Sequence, residues 1–183
     1  MIDLQVWLVQ TFARATPVSR VMHTAWGWPI AESLHFIGLS LLLGTVGVFD
    51  LRLLGVGRRI PLRTLHRVIP WGLAGFALNM TTGLMFLMTE PDQYIYNPSF
   101  HAKLLCIAAA GVNALAFYLT VGRGALAADA SLIVPRGARV IGGVSLALWI
   151  GVIVAGRLLT FYRPFECEPD RAAQFLITCI PPG

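Results

Sequence analysis

The run Ile30–Leu54, IAESLHFIGLSLLLGTVGVFDLRLL, is almost unbroken in apolar character and carries ionisable groups only near its ends. A helix of that length exceeds the roughly 30 Å hydrocarbon thickness of a bilayer. It also satisfies its own backbone hydrogen bonds, as any lipid-exposed segment must. Glu32 and His35 stand at its start, Asp50 and Arg52 at its finish. A charged side chain in hydrocarbon costs about 2.5–3.5 kcal/mol or more, so such groups lie at the boundary, pair within a bundle or perform a function.

Three further apolar runs follow, over about residues 68–88, 102–121 and 138–162, separated by proline, glycine and arginine. Composition places the whole chain in the same solvent. Hydrophobic residues make up 56% and charged residues 13%, against about 25% charged in an ordinary soluble domain, and the mean hydropathy is +0.70. With 183 residues there is room for four spans and short connections. The expected fold is therefore an all-α integral membrane four-helix bundle, one transmembrane domain over residues 1–183. Residues 2–15 are predicted to form an amphipathic helix in the interface, with Trp7 and Phe12 at headgroup level, since neither a charged n-region nor a cleavage site is evident there. Trp26 and Trp28 are expected as an aromatic belt before the first span, and residues 163–183 as a C-terminal tail.

The net charge of +5 does not indicate nucleic acid, because the basic residues form no stripe interleaved with aromatics. They report topology. The first connection and its flanks hold Arg52, Arg58, Arg59, Arg63 and Arg67, and the third holds Arg123, Arg136 and Arg139, together eight of the 14 basic residues. The second holds Lys103 beside Glu90 and Asp92. The positive-inside rule then places the first and third connections in the cytoplasm and both termini outside, in the periplasm of a bacterial inner membrane. Cys167 and Cys179, twelve apart in the tail, fit a disulfide in an oxidising compartment. Cys106 falls within the third span.

Depth sorts the four histidines. His35 lies one to two turns into the first span and His101 at the mouth of the third, so both are predicted near the outer face with His23. A rise of 1.5 Å per residue sets His66 roughly 25–30 Å below them. Two imidazoles at one depth on facing helices suit axial ligation of a b-type haem. Gly38, Gly75, Gly83, Gly111 and Gly156 would let a macrocycle approach, and Arg157 would meet a propionate or a quinone carbonyl. Glu32 shares a helical face with His35 at i, i+3, which offers a proton relay. A second constellation, Met85, Met88 and His23, has the thioether and imidazole chemistry of a copper site. Asp50 and Arg52 are expected to anchor the cytoplasmic rim, paired with Arg67 and Arg139. Hydrolysis has no support, since neither a nucleophile elbow nor HExxH is present.

The segments LHFIGLSLLLG, DLRLLG, HRVIPWGLAGFALNMTTG, YNPSFHAKLL, GVNALAFY and LWIGVIVAGRLLTFY resemble a group of uncharacterised bacterial four-helix inner-membrane proteins over residues 32–162. In layout the chain also looks like cytochrome b561-type and copper-resistance D-type proteins. That likeness implies haem or copper, with His35 and His101 as the one histidine pair available. The expected function is a membrane electron-transfer or anchor subunit, at most the redox subunit of a membrane oxidoreductase. It would carry haem b on His35 and His101, with Glu32 and Arg157 close by, and pass electrons between quinone and a periplasmic redox partner. The alternatives are a periplasm-facing copper-handling protein, and a cofactor-free accessory subunit of a larger membrane complex.

Overall fold

The computed structural model describes residues 4–12, 17–122, 124, 134–166 and 178–180. Among these residues the fold is all-α, with one isolated parallel bridge between Glu166 and Ile180. The helices are α1 (Leu4–Phe12), α2 (Pro17–Met22), α3 (Gly27–Leu54), α4 (Leu62–His66), α5 (Ile69–Thr89), α6 (Pro91–Ile95), α7 (Pro98–Ala116), extended by a π-turn over Phe117–Val121, and α8 (Arg136–Leu158). Four stretches are long and apolar enough to cross a membrane: Gly27–Leu54, Leu62–Thr89, Pro98–Val121 and Arg136–Leu158. Their outer faces are apolar, as Leu105 and Leu119, both more than 70% exposed, illustrate. Such faces suit lipid rather than water.

The boundaries follow local chemistry. α3 starts at Gly27, earlier than predicted, because Pro29 falls in a first turn whose N–H groups lack partners in any case. Trp28 thereby joins the helix and stacks on Phe86 at 5.0 Å, while Trp26 stays outside and exposed. At the other end Gly55 takes a left-handed φ of 102° and returns its N–H to the Arg52 carbonyl, a glycine cap that ends the helix. α7 starts at Pro98 because Asn97 caps it, its side-chain oxygen accepting the Ser99 N–H at 3.0 Å. α8 stops at Leu158, four residues before the predicted limit. There the Gln93 amide donates to the Leu159 and Tyr162 carbonyls and the Asn97 amide donates to Tyr162 at 2.9 Å. These bonds satisfy carbonyls left open at the helix end.

The spans form an open arc in the order α5, α3, α8, α7: α3 packs on both α5 and α8, α7 packs on α8, and α5 and α7 share no extensive contact. The α3–α5 crossing is close because Gly38 faces Gly75. A Cβ on Gly75 would lie 2.6 Å from the Gly38 carbonyl oxygen, and one on Gly38 would lie 2.8 Å from that of Gly75. Gly142 plays the same part between α8 and α3, its missing Cβ 2.8 Å from that of Leu53.

Both ends of the bundle are capped by short elements. At one end Leu62 of α4 closes a cluster with Phe49, Leu53, Phe117 and Ala138. At the other, α6 gathers the outlying segments: Ile95, Tyr96 and Cys179 form a cluster that Leu8, Val9 and Ile180 cover. Gln5 of α1 donates to the Ile95 carbonyl. The predicted N-terminal helix thus forms over Leu4–Phe12 and packs on α6; residues 1–3 and 13–16 lie outside the described residues.

Candidate functional site

The α6 end carries most of the side chains singled out from the sequence. His35, half-buried on α3, shares a hydrogen bond between its Nδ1 and Thr82 Oγ1 on α5 at 2.7 Å. Thr82 is 1% exposed and can give its own hydroxyl hydrogen to the Leu78 carbonyl at 2.8 Å. With the hydroxyl hydrogen on the Leu78 carbonyl, Thr82 Oγ1 accepts from Nδ1–H and Nε2 carries the lone pair; in the other tautomer Thr82 donates to Nδ1. Phe86 meets the ring edge-on at 5.6 Å, and Gly83 leaves open space beside it, the position of its missing Cβ lying 3.9 Å from His35 Cε1. The Lys103 charge from α7 acts on the same imidazole. The Lys103 ammonium nitrogen reaches the α8 backbone, 3.7 Å from where a Gly156 Cβ would stand. His35 with Thr82, and Lys103 beside Gly156, are thus two contacts drawn from the four spans toward this end of the bundle.

His101 is not brought to His35. Its Nε2–H donates to the Ile95 carbonyl at 2.8 Å, the same oxygen that Gln5 uses, so its ring clamps α6 and α1 to the start of α7. Two residues along a helix turn a side chain by about 200°, so Lys103 facing the bundle interior carries His101 to the opposite side. Arg157 is exposed and lies over the Phe161 ring at 5.0 Å. Glu32 is exposed and makes no hydrogen bond to His35; its charge acts on Tyr94, outside the spans, where burial first and then Glu90 and Glu32 push the phenol up to about 12. The small residues also divide: Gly38 and Gly75 are filled by each other's backbone and make no room for a macrocycle, whereas no atom lies within 4 Å of where a Gly111 Cβ would be.

Of the methionines, Met22 and Met85 go to packing, Met80 is exposed and Met88 is half-buried at the end of α5. Met22 is 1% exposed and sits with Ala31, Phe86 and Met85, while His23 points outward. Among the described residues no three His, Cys, Asp or Glu side chains converge as a metal group. Cys106 is a free thiol, Cys179 is buried, and Cys167 lies outside the described residues.

A family model of unknown function, DUF6644, matches residues 21–162, all four spans and the short helices between them. The chain belongs to the DUF6644 family. No curated protein and no solved structure matches it. The matched region holds His35, Thr82, Lys103 and Gly156, and omits α1 and the tail.

The opposite end departs from expectation. Arg52 is buried, but its Nε donates to the Ile60 carbonyl at 2.7 Å and its Nη2 to that of Arg58 at 3.2 Å, so it ties down the α3–α4 connection. Asp50, 4% exposed, pairs with neither Arg52, Arg67 nor Arg139, and its Oδ2 has no hydrogen-bond partner. The expected rim ion pair is absent because Asp50 faces α8 and the bundle interior while Arg52 wraps over the loop. His66 remains at the rim, hydrogen-bonded through Nε2 to the Tyr118 hydroxyl at 3.1 Å. Sequence reasoning assigned Thr82 and Lys103 no part in a site and placed Asp50 in a rim ion pair that the structure does not form. A lone lysine two positions after His101 and a lone carboxylate in an apolar run were the signals.

Proposed function

We propose that this protein is a membrane redox subunit that would hold one b-type haem at the α6 end, with His35 Nε2 as the side chain that would ligate its iron. The observation that carries the reading is the 2.7 Å contact between His35 Nδ1 and Thr82 Oγ1 inside the bundle: with the proton on Nδ1, Thr82 orients the ring and Nε2 is free to ligate, as in metal-ligating histidines. The fit is specific for part of the group. Lys103 supplies a cation for a propionate carboxylate, and the open side of Gly83 admits an approaching plane. When bound, haem supplies one-electron transfer; the chain orients the imidazole, excludes water with Phe86 and balances charge with Lys103. His101, committed to the Ile95 carbonyl, is assigned to the clamp between α6 and α7. The layout likeness to cytochrome b561-type proteins favours the same chemistry, and exchange of electrons between quinone and a periplasmic protein belongs to this reading.

Orientation and the tail disulfide are part of the same proposal. The arginine bias supports termini on the periplasmic side. The engaged, buried sulfur of Cys179 supports its pairing with Cys167.

The test is a reduced-minus-oxidised spectrum of the protein purified from haem-replete cells. The expected result is a b-type α band that His35→Ala removes and His101→Ala keeps, the latter variant unfolding at lower temperature. A colourless wild type, or a band that survives His35→Ala, overturns the assignment.

A further inference from the structure

The open side of the arc, between α5 and α7, leads into a cavity of about 270 Å³ in the half of the bundle nearer α4. Phe76 of α5, Tyr118 at the end of the third span and Trp149 of α8 supply aromatic walls, and Gly111 leaves open space on the α7 side. Its lining is almost wholly apolar, with Asn113, Ser145 and Asp50 as the polar exceptions. The Asn113 amide donates to the Ile141 carbonyl. Asp50 is more than nine-tenths buried, lines this cavity and keeps Oδ2 without a partner. No Lys, Arg or His side chain is among the lining residues. A buried carboxylate without a counter-charge is strongly unfavourable, and a cation delivered to it removes that cost.

We infer that this groove is a binding site for a lipophilic cation, an ammonium carried on an aromatic or aliphatic body, which enters from the bilayer between α5 and α7 and pairs with Asp50. The apolar body replaces lipid contacts with the Phe76 and Trp149 rings, and aromatic faces attract a cation in their own right. The volume suits a small molecule, close to the lower end of ordinary ligand pockets. Proton and cation compete for the same carboxylate, so binding weakens as pH falls. The groups facing Asp50 leave that dependence to Asp50 itself. α5 offers none that titrates, and α8 offers Ser145 with Arg139 nearly two turns away, outside the lining and with its buried Nε unpartnered. α3 offers Arg52, which bonds to the loop carbonyls through Nε and Nη2 and leaves Nη1 unpartnered, and the third span offers Tyr118, itself bonded to His66.

The experiment is direct binding of tritiated benzyltrimethylammonium to the full-length protein in nanodiscs, with its neutral carbon isostere neopentylbenzene as competitor. The quaternary probe cannot lose a proton, so any pH effect is the protein's. Wild type should bind the cation, more weakly at acid pH, with neopentylbenzene competing poorly. Asp50→Asn should weaken binding by roughly thirtyfold or more, the low end for removing one partner of a desolvated charge pair, and abolish the pH dependence. Gly111→Leu, which grows into open space, should block the probe while the protein remains folded. Should Asp50→Asn not fold, the isostere comparison on wild type and Gly111→Leu still decide. Equal competition by the neutral isostere, or unchanged binding in either variant, overturns the proposal.

Discussion

Thr82 does for His35 what the sequence had no means of announcing. A threonine in a span is by default a packing residue whose hydroxyl returns to the carbonyl four positions back, and Thr82 does this with Leu78. Only the α3–α5 crossing sets that same oxygen 2.7 Å from a ring nitrogen 47 positions away. Thr82→Val keeps the shape and removes the hydrogen-bond partner, so the ring is no longer held. Second-partner losses of this kind cost about 10–100-fold in metal affinity, and haem occupancy in the purified variant, read from the pyridine haemochrome, should fall accordingly while the helical circular dichroism is unchanged. His101 lies at the same end of the bundle as His35 but spends its Nε2 on the Ile95 carbonyl; sequence gives depth along a helix more readily than azimuth between helices of unknown neighbours. A separate residue effect belongs to Asp92, on α6 outside the spans, where burial raises the carboxyl above its usual value. The folded state then favours the protonated form, so Asp92 works against stability above its folded pKa, and that penalty disappears as pH falls through the unfolded value near 3.8. Asp92→Asn should therefore raise the melting temperature at neutral pH and give no advantage in acid. Thermal melts of both proteins at the two pH values measure it.

Among the elements, the α3–α5 pair sets the geometry on which both sites rest. Gly38 and Gly75 read from the sequence as room for a cofactor, and small residues are equally a device for bringing membrane helices together. The fold chooses the second use: each glycine's missing Cβ would strike the other's carbonyl oxygen within 3 Å. Backbone on both sides leaves nothing soft to yield, so Gly75→Ala must push α5 away from α3. Overpacking of this order costs about 1–3 kcal/mol, to be read as a lower unfolding midpoint in detergent. Because the same separation draws Thr82 from His35, any haem band should weaken with it. The control is Gly44→Ala, on α3 with no atom within 4 Å of the added methyl, where stability should hold or rise. The spans themselves were plain from hydropathy, and their limits moved at α3, α7 and α8. α3 starts at Gly27 with Pro29 in its first turn, α7 starts at Pro98 under the Asn97 cap, and α8 starts at Arg136 and stops at Leu158 beside the Gln93 and Asn97 amides. Caps depend on side chains from distant segments, which a window along the chain does not contain.

For the molecule as a whole, the arc explains why one chain offers two unlike environments. Had α5 closed on α7, the bundle would have been a symmetric four-helix core with Asp50 sealed inside. Left open, it presents a polar constellation around His35 at one end and an apolar, acidic groove toward the other. Four spans return the chain to the side on which it began, and the packing of α1, α6 and the segment around Cys179 into one cluster agrees with that count. Which side this is rests on the arginines flanking α4 and preceding α8. Short loops rich in Arg resist translocation, and Arg58, Arg59, Arg63 and Arg67 crowd a single connection. Alkaline phosphatase fused to either terminus should therefore be active, and a fusion placed after Arg59 inactive. Activity at one terminus only would contradict four spans. Inactivity at both, with an active fusion after Arg59, would keep the bundle and invert it, moving the His35 end to the cytoplasm and removing the periplasmic partner from the proposed electron path.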